Sequence, residues 1–165
     1  MTKDVAAETV SNEVVIPAEA MDDSAAPRAA KDVVAMIRDM SNGEVTVYST
    51  ITGEDYETKK LTLNALTNAV PLADNLRKPF NLTNFVCEMI TLTDEKTGVP
   101  FDALRTILLT AQGEAYYAIS EILFKDLQRY TAILGHPSEW PEGGVAVIVD
   151  EVRNGKNRFY KMTLA

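Results

Sequence analysis

The chain has a single cysteine and a single histidine among its 165 residues, and no apolar run that approaches the length of a membrane span. With Cys87 alone, an intramolecular disulfide and a thiolate metal cluster within one chain are both excluded. A reducing cytoplasm suits such a composition. With His136 alone, His-rich zinc sites are excluded, and a histidine-based triad would rest on one residue beside two prolines, Pro137 and Pro141, where a turn role is expected. Uncharged apolar stretches such as Gly143 to Val149 fall far short of the roughly 20 residues that cross a bilayer, so no membrane partner is expected. Acids among the first apolar residues argue against a secretory signal.

The signatures of chemistry are equally scarce. A phosphate-cradling Walker loop, a Gly-rich dinucleotide fingerprint and a His-Glu metal helix are missing from the sequence. Acid pairs occur at Glu54-Asp55, Asp94-Glu95 and Asp150-Glu151, each at a turn or strand end, where solvated carboxylates are expected rather than a Mg²⁺ nuclease centre. The sequence therefore predicts no catalytic residue, no metal ligand and no cofactor.

What is present is an ordinary globular composition, 46% apolar and 24% charged, of a size suited to one domain with a tail. The net charge of −8 opposes nucleic-acid binding if spread evenly, because phosphate binding is driven by counterion release at Lys and Arg. It is not spread evenly. Residues 1–26 hold six acids against Lys3 alone, whereas Arg153 to Lys161 holds four bases and no acid.

Residues 1–27 have few aromatics and no sustained period, which predicts a disordered acidic tail. Residues 28–42 follow as an amphipathic helix and linker, with Val33, Met36, Ile37 and Met40 at helical spacing. The folded body is expected over residues 43–165. It opens with a strand over Glu44 to Ile51 and a helix over about Tyr56 to Asn68, with Leu61, Leu63 and Leu66 near its apolar side. A short helical turn follows through Leu72 to Leu76. Strands are then expected over Asn84 to Thr93, Ala103 to Thr110 and Glu114 to Ile119. A helix follows, capped by Ser120 and carrying Ile122, Leu123, Leu127, Tyr130 and Leu134. A final hairpin runs from Val145 to Val152 and Arg158 to Leu164, turning at Asn154-Gly155. The fold class is mainly β. The order strand, strand, strand, helix, strand, strand matches a five-stranded OB-fold-like barrel with an added N-terminal strand and helix, although other small barrels and α+β sandwiches produce the same string.

Single-strand binding needs cations along a groove and exposed rings on which bases stack. The candidate cations are Lys59, Lys60, Arg105, Arg153, Lys156, Arg158 and Lys161, and the candidate rings are Tyr48, Tyr56, Tyr116, Tyr117, Phe159, Tyr160 and Trp140. Neighbouring strand residues point to opposite faces, so one ring of Tyr116/Tyr117 and one of Phe159/Tyr160 is expected in the core. Trp140 suits a lid on the core better than a base platform.

Three stretches carry a resemblance: ITGEDYETKKLTLNALTNAVPLADNL from Ile51, AYYAISEILFKDL from Ala115, and LGHPSEWPE from Leu134. Through Gly53, Tyr56, Lys59, Lys60, Asn64, Ala65, Thr67 and Asn68, then Gly135, Trp140 and Pro141, the chain resembles single-stranded-DNA-binding proteins of tailed bacteriophages from about Val45 to Leu164. The resemblance implies an OB-like protein that coats single-stranded DNA, largely without sequence preference, during phage replication or recombination in the host cytoplasm. An acidic tail at the N-terminus departs from the pattern of many cellular proteins of this function, which carry theirs at the C-terminus. Replication or recombination proteins are the expected partners of the tail, and self-association is left open. The rival expectation is a protein-interaction or regulatory module that uses the N-terminal helix and tail.

Overall fold

Strand β3, Phe80–Thr93, is the longest element of the computed structural model, which describes residues 47–165. The expected tail over residues 1–27, the helix at residues 28–42 and the start of the first strand lie outside those residues. Around β3 the chain runs β1 (Val47–Ser49), α1 (Tyr56–Asn68), β2 (Val70–Pro71), a 3-10 turn (Leu72–Asn75), then β3, β4 (Pro100–Thr110) and β5 (Ala115–Ile119). It continues through α2 (Glu121–Leu134), a second 3-10 turn (Pro137–Glu139), β6 (Val145–Asn154) and β7 (Asn157–Leu164). The architecture is mainly β, one sheet ordered β2-β5-β4-β3-β6-β7 with β1 also on β3, curled into a half-barrel with two helices.

One edge of β3 is taken by β4 over almost its whole length, and the other is shared by β6 at Phe80 to Leu82 and β1 at Val86 to Glu88. Between those two partners the buried Thr50 supplies the missing contacts. Its N–H donates to the Phe85 carbonyl at 3.0 Å, and its hydroxyl accepts from the Phe85 N–H at 2.9 Å. A buried backbone donor left without a partner costs on the order of 1–3 kcal/mol, so this threonine satisfies Phe85 in the gap between the two strands.

The sequence places the start of β3 at Asn84, whereas the structure extends it to Phe80. A register shift between Leu82 and Asn84 explains the difference, since it inserts Thr83 as a bulge. Phe80 and Leu82 therefore share the core face with Phe85 and Cys87 even though the two-residue alternation is broken between them. Gly144 sits at φ +87 against this bend, where a Cβ would collide with the Leu82 carbonyl oxygen. Glycine is required there by both the backbone angle and the close approach.

The concave side of the sheet holds the main core: Leu82, Phe85, Cys87, Leu108, Tyr116, Val147, Val149, Tyr160 and Met162 pack with Leu123, Phe124 and Leu127 of α2 and with Trp140. Burial pushes the Cys87 thiol up to about 12, so it is a core hydrophobe and not a nucleophile. The outer side holds a smaller cluster of Val86, Ile107 and Leu109 under Ala65 of α1. The expected apolar side of α1 is corrected in part: Leu66 packs against this cluster as expected, beside the buried Ala65, but Leu61 and Leu63 are 48% and 62% exposed. Leu61 and Leu63 are two residues apart, roughly 200° around a helix, so they cannot share a stripe. In α2, likewise, Ile122 and Leu134 are exposed and Phe124 takes their place in the core.

The last hairpin also turns differently. Asn154 pairs with Asn157, so the central residues are Gly155 and Lys156 rather than Asn154-Gly155. Gly155 at φ +63, followed by a residue without positive φ, has the sign pattern of a II′ turn, which takes glycine first.

The two ends of the sheet are closed by different means. β2 pairs in parallel with β5 through Val70 and Pro71, covering that edge. On β7, the Met162 N–H donates at 2.9 Å to Oδ2 of Asp126, a buried carboxylate on α2 whose other oxygen accepts from Arg129 at 3.4 Å. Replacing Asp126 by Ala strands the Met162 N–H and is expected to cost about 1–3 kcal/mol in urea unfolding, whereas Asp126→Asn, which keeps a carbonyl acceptor, costs less. Equal midpoints for the wild type and Asp126→Ala would show that the contact contributes nothing.

Candidate nucleic-acid interface

The β6–β7 hairpin continues beyond the body of the sheet, because β6 makes its last pairing with β3 at Val147 and runs on to Asn154. Its ladder register sorts the four bases that the sequence groups together. Arg153 faces Arg158 directly across the strands, a like-charge pair made tolerable by Glu151, which lies 3.4 Å from Arg153 and 3.6 Å from Arg158. Lys161 falls on the opposite face, across the ladder from Asp150, and Lys156 stands in the turn. Lys156 and Lys161 make no ion pair with any described residue.

Arg77 and Lys78, which sequence reasoning missed, join this surface. Arg77 adopts φ 63, an uncommon angle for a side-chain-bearing residue, and is held there by its N–H on the Val149 carbonyl at 2.9 Å and by Nε on Asp150 at 3.2 Å. Lys78 is exposed beside it. The segment Asn75 to Pro79 has no period and no motif, so only the tertiary contact with β6 reveals that these two bases belong with the hairpin.

The aromatic candidates divide sharply. Tyr116 and Tyr160 are core residues, so their rings are not platforms on the surface. Tyr116 tilts against Phe80 at 5.5 Å and donates its hydroxyl to Glu114 at 2.7 Å. Burial, that hydrogen bond and the carboxylate's charge push its phenol up to about 12. Tyr160 is raised by burial first and then by Glu151. Tyr48 is half-buried against Phe85, centroids 6.1 Å apart. Tyr117 lies on the outer face under the Arg105 guanidinium, 4.4 Å from the ring centre, and Phe159 is half-buried. Trp140 is buried and donates Nε1–H to the Gly135 carbonyl at 3.0 Å, as a lid would. Tyr56, 75% exposed at the start of α1, is the ring that is open to solvent.

Lys59 and Lys60 lie on α1 near Tyr56, exposed, and are paired loosely with Glu54 at 3.4 Å and Glu57 at 3.8 Å. Exposed pairs of this kind hold for less than about 1 kcal/mol and exchange readily for another anion. His136 caps the second 3-10 turn, its Nδ1 accepting from the Ser138 N–H at 3.1 Å, the turn role expected of it. Among the described residues no group of three or more His, Cys, Asp or Glu side chains is gathered as metal ligands, and no helix is long and apolar enough to cross a membrane.

Two grooves open near the β4–β5 turn. One, of about 560 Å³, is lined by Leu61, Asn64 and Asn68 of α1 together with Val70, Glu114 and Tyr116; the other, of about 410 Å³, by Asn75, Asn81, Gln112, Glu114 and Tyr116. They meet at the Glu114–Tyr116 pair. Comparison of the chain with protein-family models, curated proteins and solved structures returns no match.

Arg105 occupies a different kind of place. Its guanidinium donates to the Leu66 carbonyl of α1 at 3.1 Å and to Glu88 of β3 at 3.3 Å while covering Tyr117 of β5. It is thus a tie between three elements, with its own side chain and that of Glu88 partly screened from water. Arg105→Ala is expected to lower stability by about 1–3 kcal/mol, and Arg105→Lys to recover little of it, because an ammonium lacks the planar fork that reaches all three. Urea midpoints measure this, and a wild-type midpoint for Arg105→Ala would refute the tie.

Proposed function

We propose that this chain binds and coats single-stranded DNA without catalysing a reaction on it, largely independent of sequence, in phage DNA replication or recombination. The observation that carries the reading is a local charge excess. In a chain of net charge −8, Arg153 and Arg158 sit with Glu151 on one face of the hairpin, Arg77 and Lys161 with Asp150 on the other, and Lys156 stands in the turn, five bases against those two carboxylates and Asp74, whose charge reaches Tyr160. Such a surplus on a projecting hairpin suits a polyanion. The four antiparallel pairings β3–β4, β4–β5, β3–β6 and β6–β7, with α2 between β5 and β6, support an OB-like reading of the half-barrel, a fold in which strands 2 and 3 and the loop joining strands 4 and 5 serve oligonucleotides. The β6–β7 turn is that loop here. The resemblance to phage single-stranded-DNA-binding proteins points the same way and places the protein in the cytoplasm of an infected bacterium. The reading calls for no cofactor or metal.

A second reading, a protein-interaction module, draws on the exposed Leu61, Leu63 and Tyr56 of α1 and on the overall acidity. Fluorescence anisotropy separates the two. Oligo-dT should bind more tightly than duplex of equal length, and the salt slope should report roughly 0.7 per phosphate contacted. Replacing Arg153, Lys156, Arg158 and Lys161 together by Gln should weaken binding and flatten that slope by up to about 3. An unchanged slope would place the phosphates elsewhere, and no binding of oligo-dT at low salt would leave the interaction module as the better account.

A further inference from the structure

We propose that the groove between α1 and the β4–β5 turn is a pocket for an unpaired nucleobase bearing an exocyclic amine, cytosine or adenine. The inference deepens the single-strand reading and rests on it. Asn64 and Asn68 stand one helical turn apart on α1 and project into the groove; Asn75, Asn81 and Gln112 line its continuation past Tyr116. None of these five amides has a hydrogen-bond partner among the described residues, so the groove presents donors and acceptors with no internal use. Amides of this kind pair bidentately with base edges.

Glu114 sets the choice of base. It is the one charged residue lining either groove, and its Oε2 already accepts from Tyr116 at 2.7 Å, leaving Oε1 with no partner among the described residues. That oxygen would accept from the N4 amine of cytosine or the N6 amine of adenine, and would oppose the O4 carbonyl of thymine at the same position. Leu61, Val70 and Leu109 supply an apolar wall for the base face. A carboxylate repels phosphate, so the backbone must stay outside; Arg77 and Lys78 lie in the chain between Asn75 and Pro79, both of which line the second groove.

Anisotropy of the full chain with labelled oligo-dC and oligo-dT of equal length tests this. The wild type should bind oligo-dC about tenfold more tightly, the ratio one bidentate amide–base contact supplies. Both Asn64→Ala/Asn68→Ala and Glu114→Gln should erase that ratio, the first by weakening oligo-dC and the second also by strengthening oligo-dT, because the amide of Gln donates to the O4 carbonyl that the carboxylate opposes. Alanine at exposed helix positions favours the helix, so loss of folding is not the expected cause of any change. Equal affinity of the wild type for the two oligomers, or a preference that survives both variants, would overturn the pocket and leave the single-strand reading standing. Failure of the wild type to bind either oligomer would remove both.

Discussion

Fourteen residues of β3 must find hydrogen-bond partners on two edges, and the rest of the structure is arranged by how they do so. β4 takes one edge; β6, Thr50 and β1 divide the other as far as Glu88. The division is possible because the bulge at Thr83 bends the strand while keeping apolar side chains on the concave face on either side of it. With β6 confined to the first three residues of β3, its remainder is free to run outward with β7. The basic hairpin is thus a consequence of edge sharing on β3.

A sheet ordered β5-β4-β3-β6-β7 would become a closed barrel if β5 met β7, and here both edges are otherwise engaged. β2 occupies β5, and Asp126 of α2 satisfies an N–H of β7. Covering edges in this way guards against strand addition by another chain. It also leaves the concave core to be sealed by α2 and Trp140, so the side chains buried there, Tyr116 and Tyr160 among them, serve packing. Under the proposed single-strand reading, contacts with nucleic acid would fall to the hairpin, the Arg77-Lys78 segment and the groove beside α1.

Local signals were legible in the sequence wherever structure depends on neighbours in the chain. The capping of α2 by Ser120, and the strand order from β3 to β7, were read from short-range pattern. So was the division of Tyr116 from Tyr117 between two faces, which follows from the period of a strand. The features that escaped depend on residues far apart. A bulge hid the first residues of β3, and a two-residue parallel strand is too short to announce itself. The splitting of the four hairpin bases between faces required the register with β6. Arg105 looked like a free cation because neither the Leu66 carbonyl nor Glu88 is near it in sequence.

The central claim, that single-stranded DNA lies along the hairpin and the adjoining segment, is tested most directly by hydrogen–deuterium exchange of the full chain with and without oligo-dT. The account predicts slowed exchange on binding at Glu151 to Lys161 and Asn75 to Asn81, with α2 unaffected. Slowed exchange confined to α1, or no change at the hairpin with the oligomer saturating, would contradict it.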